Sequence, residues 1–269
     1  MNYLEEKKMT EVKFKKMTAE VYNLIKDDIK DTISNLMKHQ LIINPSFSDK
    51  KSCTVNQISS RLNGPKIDKT KTYVENFLKF YNDNEYLFLF QDSSFIQVNY
   101  EFTQHPSAKQ QIVCKANLNF YPNPGLYDEG ILEMMKLDIP EEEQIEFWND
   151  LKMDMENDFT YHSNYMRLDY SNKVEDFTEL THPRCHIHFG LNNDFRLAAN
   201  KLPLLSDFVD LVLFTSYIED WKKLHEDELS NLDIYSRRRM DRIRSYKQLT
   251  EFDEVLTDVE RMGYALNIL

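Results

Sequence analysis

The residues best suited to chemistry fall in two short stretches, Tyr165-Met-Arg-Leu-Asp-Tyr170 and His182-Pro-Arg-Cys-His-Ile-His-Phe-Gly190. An extended backbone turns successive side chains to opposite sides. Arg167 and Asp169 then share one side of the first stretch, opposite Met166, Leu168 and Tyr170. Arg184, His186 and His188 share one side of the second, opposite Cys185, Ile187 and Phe189. Burying both apolar sides against one helix would bring Arg167, Asp169, Arg184, His186 and His188 onto a common surface. His182, just before Pro183, would lean over it.

Four uses fit that surface. Two imidazoles at i and i+2 on a strand, with Asp169 as a third ligand, are the donors of a zinc or iron site. The spacing resembles the H-x-H of cupins, but Phe189-Gly-Leu-Asn-Asn-Asp194 follows where cupins carry a glutamate, and Arg167 and Arg184 would repel a cation. Phosphodiester cleavage needs proton carriers near neutral pH and cations that clamp phosphate oxygens. Here His186, His188 and Asp169 form the catalytic set, and Arg167, Arg184 and His182 bind substrate. Only one histidine pair is present, unlike the paired H-x-[ST] motifs of two-histidine phosphoesterases. The third use is docking of a ligand or protein, with Trp148 and Tyr161 at the edge. The fourth is structural, an Arg167–Asp169 network with satisfied histidines that fix the sheet. The leading expectation is RNase-like cleavage, with no metal and no cofactor.

Other candidates carry less. Cys185 falls on the apolar side and reads as core, not nucleophile. His105-Pro106 reads as a turn, and His39, His162 and His225 have no companions that make a motif. Tyr235-Ser-Arg-Arg-Arg-Met240 suits a phosphate, an acidic partner or an exposed helix end equally.

Composition narrows the classes. The 269 residues include only five glycines, with no G-x-G-x-x-G and no G-x-x-x-x-G-K, so dinucleotide and P-loop folds are excluded. Cys53, Cys114 and Cys185 are odd in number and far apart, which suits a reducing cytoplasm. The first residues carry mixed charge and no apolar core, so no signal peptide is expected. Residues 202–217 are the most apolar, but Pro203, Asp207 and Asp210 interrupt them and they are too short for a bilayer. A net charge of −12 disfavours general nucleic-acid binding. The charge is uneven: residues 138–158 hold nine acidic side chains and one lysine, and residues 237–247 hold six basic ones and one aspartate. Such patches suit solvated helix faces, a local anion site or association with a protein partner or a second copy.

The elements that must position these residues are read from periodicity. Apolar residues at three- and four-residue spacing predict a long amphipathic helix over 10–40. A short element at 55–62, Gly64-Pro65 and a helix over 69–81 outline a superficial helix-turn-helix, without the Asn, Gln and Arg cluster that reads bases. Strands are expected at 86–90, 94–102, 110–121, 164–170, 184–190 and 195–198, with a tight turn at Asp92-Ser93. An acidic helix over 140–156 lies between them. Ser206 is the expected N-cap of a helix whose broad face runs from Phe208 through Phe214 and Tyr217 to Leu224. Leu249, Phe252, Val255, Leu256, Val259 and Met262 mark a last buried stripe. The expectation is an α+β fold: one domain over 1–269, a central antiparallel sheet of five to seven strands, a helical region over 1–82, the sheet core and its packing helix over 83–225, and C-terminal helices over 226–269.

Arg167-x-Asp169, His182-Pro-x-x-His186-x-His188-x-Gly190 and the helix opening Ser206-x-Phe208-Val209 resemble an uncharacterised bacterial family, domain of unknown function 2290. A histidine-rich strand after an R-x-D strand is also loosely similar to small toxins of bacterial toxin–antitoxin modules. The resemblance implies a cytoplasmic role in phage defence or growth arrest and supplies no activity. Two functions are expected from different classes. One is a phosphodiester-directed effector acting on RNA or a nucleotide. The other is a non-enzymatic interaction subunit of a defence complex that uses the 138–158 and 237–247 segments; neither involves a membrane.

Overall fold

A computed structural model describes residues 3–43, 45, 53–54, 56–60, 67–68, 70–71, 73–104, 111–124, 140, 143, 150, 165–190, 195–225, 249–250, 255–262 and 265–266. The acidic and basic segments, Trp148, Tyr161 and His105-Pro106 lie wholly or almost wholly outside these residues.

The first helix, α1 (Tyr3–Lys38), follows the predicted spacing and buries Ile25, Ile29 and Leu36 on one stripe. It ends where Gln40 takes a left-handed backbone (φ 57°) and the Leu41 N–H closes back on the Leu36 carbonyl at 3.0 Å, a Schellman-type stop. Helix α2 (Tyr73–Asn82) follows the expected position. The helix-turn-helix outline is corrected, because residues 57–59 form a strand in the sheet and not a first helix.

Among the described residues, ten strands join one sheet: β1 (Ile42–Ile43), β2 (Cys53–Thr54), β3 (Gln57–Ser59), β4 (Phe88–Phe90), β5 (Phe95–Gln104), β6 (Gln111–Tyr121), β7 (Met166–Ser171), β8 (Cys185–Phe189), β9 (Leu197–Ala199) and β10 (Ala265–Leu266). The main path runs β1-β4-β5-β6-β7-β8-β9-β10, with β3 also on β5 and β2 on β3. Every pairing among the described residues is antiparallel except β9 with β10. The α+β class and the six expected strands hold. The larger count comes from two- and three-residue edge pieces too short to show a period.

One face is apolar and continuous. Its rows run Tyr100–Ala116–Tyr170–Cys185 and Val98–Leu118–Leu168–Ile187 across four strands. These residues pack with α1 and with α3 (Leu205–Ser216), which contributes Leu205, Phe208, Val209, Val212 and Leu213. The two covering helices are tied together, since Asp28 accepts hydrogen bonds from the Ser206 hydroxyl at 2.6 Å and its amide at 3.2 Å. That tie corrects the cap: Leu204 precedes the helix, and Ser206 lies in its first turn. The apolar run also breaks at Tyr217, where α4 (Ile218–Leu224) begins. Phe214 and Val259, expected in apolar stripes, are exposed, and the short helix α5 (Asp258–Met262) turns Glu260 inward instead.

Leu118 sits in the middle of the apolar face with no exposed surface. Leu118→Ala should lower unfolding free energy by about 2–5 kcal/mol, read by denaturant titration, because the packed sheet leaves a cavity it cannot close. A loss under ~1 kcal/mol would contradict this packing.

Candidate functional site

The other face carries the polar residues in register. One row runs Ser59–Asn99–Asn117–Asp169–His186–Ala198 across six strands. The next runs Gln97–Asn119–Arg167–His188. Residues directly opposite on paired strands have Cβ atoms about 4.5–5.5 Å apart, so register alone brings the charged side chains together. At the end of this face Phe95, Tyr121 and Tyr165 join Tyr73, Phe77 and Phe80 of α2 in an aromatic cluster. The polar rows are not an open surface: Gln97, Asn99, Asn119, His186 and His188 are all buried.

At the centre lies the Asp169 carboxylate. Its Oδ1 accepts from the Asn117 amide at 2.6 Å. Its Oδ2 lies 2.7 Å from Arg167 Nε, 3.7 Å from His188 Nε2 and 4.0 Å from His186 Nε2. The two imidazole distances exceed hydrogen-bond length. Among the described residues, both Nε2 atoms and Asn119 Nδ2 in the same rows are buried without a hydrogen-bond partner, and Arg167 Nε meets Oδ2 as an ion pair without an aligned hydrogen bond. His186 Nδ1 meets the Pro183 carbonyl at 2.7 Å. A carbonyl only accepts, so Nδ1 carries the proton and Nε2 presents its lone pair towards Asp169. Asp169, His186 and His188 thus offer three ligand atoms within 4.8 Å of one another, a geometry that could hold a metal ion.

Burial penalises the charged imidazole and holds both histidines down to about 4. The Asp169 charge opposes this in each ring, and Arg167 adds repulsion at His188. Both rings are neutral at pH 7.

Four of the five expected side chains converge, Arg167, Asp169, His186 and His188. Arg184 does not join the carboxylate: its Nη1 donates to the Asn172 carbonyl at 3.1 Å, and its guanidinium lies 4.8 Å from the Phe177 ring centre. His182 does lean over the site, its ring centre 4.9 Å from that of His186 and its Nδ1 on the Asp176 carbonyl. Cys185 is in the apolar core, where burial pushes its thiol far up, so it is no nucleophile. Sequence reasoning missed Asn117, Asn119, Gln97 and Asn99, although the alternation of Lys115, Asn117 and Asn119 with Ala116, Leu118 and Phe120 carried the signal. The β8–β9 register pairs His186 with Ala198 and Ile187 with Leu197. Continued by one pair, it sets Arg196 opposite His188, and the Arg196 charge acts on both rings.

Depressed histidines make folding pH-dependent in a defined direction. The unfolded chain takes up protons from about pH 6.5 downward, and the folded metal-free protein refuses them until about 4. Stability should be full above 6.5 and fall as pH drops through that window. His188→Gln should flatten the slope in denaturant titrations between pH 7 and 5; an unchanged slope would contradict the neutral assignment.

No curated protein and no solved structure matches the chain. The model of one family, described as uncharacterized conserved protein, matches residues 36–268, a span that takes in every residue of the polar face. The chain belongs to this family, DUF2290.

Proposed function

We propose that the polar face hydrolyses a phosphodiester bond, with RNA or a nucleotide as the substrate class, and that the chain acts as a cytoplasmic effector. The observation that carries this reading is the pair of buried Nε2 atoms, unpartnered and converging on Asp169 beside Arg167. The Thr32 and Tyr100 hydroxyls are also buried unpaired, but here two such atoms lie side by side against one carboxylate, which supports a place for a further group.

The roles follow from chemistry and position. The Asp169–His186–His188 group prepares the attacking oxygen, with Asn117 fixing the carboxylate. Arg167 keeps 35% of its side chain exposed and Asp169 keeps 22%, so the group meets solvent on this side. A guanidinium there suits phosphate oxygens and the charge that grows on them during displacement. Arg196 adds a second positive charge near His188, while His182 stands at the margin beside His186. Arg184, held by Asn172 and Phe177, shapes the rim instead of reaching the phosphate. A net charge of −12 repels a long polyanion, which favours a short or single-stranded substrate positioned by this local patch.

The test is turnover of an RNA oligonucleotide, a 2′,3′-cyclic nucleotide and bis(4-nitrophenyl) phosphate by the purified chain. At least one should be cleaved, and His188→Ala and Arg167→Ala, checked for native circular dichroism, should each lose about 100-fold or more in rate. No turnover by the unaltered chain, or full turnover by folded variants, would overturn the proposal.

A further inference from the structure

We infer that Asp169 Oδ2, His186 Nε2 and His188 Nε2 bind one divalent transition-metal ion, with Zn²⁺ the best match to two imidazoles and one carboxylate. The inference deepens the hydrolytic reading, since it names what prepares the attacking oxygen, and it uses the same side chains.

Three observations support it. The first is convergence: the three ligand atoms come from two adjacent strands in one register and lie within 4.8 Å of one another. Ligands around an ion at about 2.0–2.2 Å sit roughly 3–3.5 Å apart, so loading needs only a small contraction. The second is orientation. The Pro183 carbonyl holds the Nδ1 proton of His186, and Asn117 holds the far oxygen of Asp169. Metal-bound histidines and carboxylates characteristically carry such supports, which fix the tautomer and aim the free lone pair. The third is vacancy of the right atoms: both Nε2 groups are buried and lack a hydrogen bond.

The arginines shape the expected site. Arg184 is held by the Asn172 carbonyl and the Phe177 ring. Arg167 shares Oδ2, which has lone pairs for both an ion and a guanidinium. Positive charge beside a bare cation is unfavourable, but it suits an ion whose open position holds an anionic oxygen. Three protein ligands and one open position is the arrangement of catalytic zinc sites. An ion held by Asp169, His186 and His188 would supply a water acidic enough to give up its proton to solvent near neutral pH and displace the ester oxygen from phosphorus, that oxygen taking its proton from solvent.

The experiment is a titration of the full-length, chelator-treated chain with Co²⁺, followed by visible absorption, then displacement by Zn²⁺. One equivalent of Co²⁺ should develop d–d bands that Zn²⁺ abolishes. His186→Ala and His188→Ala should remove the bands, whereas His225→Ala, whose ring pairs with Asp210 of the helix on the apolar face, should keep them. Asp169→Asn preserves shape where alanine endangers folding, and should also remove them; Asn117→Ala should weaken binding about 10–100-fold. Absence of stoichiometric Co²⁺ bands, or bands unchanged in the His186, His188 and Asp169 variants, would overturn the inference. The two proposals separate cleanly. Site-dependent Co²⁺ binding without phosphodiester turnover sinks the hydrolase and keeps the ion, while turnover by chelated protein that binds no Co²⁺ does the reverse.

Discussion

The imidazoles of His186 and His188 are buried while Asp169 and Arg167 keep a partial opening to solvent, so most of the bonding needs of the polar row must be met from within the sheet. Asp169 meets that constraint fully, with Asn117 on one oxygen and Arg167 beside the other. His186 meets half of it through Pro183. The Nε2 atoms of His186 and His188 and the Nδ2 of Asn119 meet none of it. Each unsatisfied buried group costs about 1–3 kcal/mol of desolvation, so two adjacent rows that hold several of them are an expensive way to build a core. Apolar side chains at the same positions would have packed more stably.

The rest of the fold serves that row by holding register. Long pairings of β5 with β6 and of β6 with β7 carry Asn99, Asn117 and Asp169 into line. The excursion between β7 and β8 brings His182 back over His186. It is pinned by the Thr178–His182 bridge, by Arg184 on Asn172, and by Leu180, whose amide donates to Glu260 at 3.3 Å. On the far side α1 and α3 bury the alternate residues, so a one-residue slip in β7 or β8 would put Met166 or Ile187 on the polar face. Stability of the apolar face thus fixes the geometry of the polar one.

Much of this was legible from side-chain type alone. Period-two alternation located β5 through β9 and placed Arg167, Asp169, His186 and His188 on one side, because the opposite positions were apolar without exception. What alternation could not show was depth: the same pattern suits a solvated face, and burial of His186 and His188 depends on what covers the sheet. Nor could it assign Arg184, whose parity matches the histidines but which lies before the strand and bends to Asn172. Short edge strands such as β1 and β3 have too few residues for any period, and Ser206 had the composition of a cap while its hydroxyl was committed to Asp28. The contribution of Asn117 needed the β6–β7 register, which only a folded sheet provides.

The unpaired Nε2 atoms of His186 and His188, facing Asp169 Oδ2, are the atoms the proposed ion would take. Anomalous diffraction at the zinc absorption edge, from crystals of the chain grown with Zn²⁺, tests it most directly. The account predicts one strong peak within about 2.0–2.2 Å of Asp169 Oδ2 and both Nε2 atoms. A chain crystallised with Zn²⁺ that shows no peak there, with the two imidazoles hydrogen-bonded to protein groups instead, would contradict it.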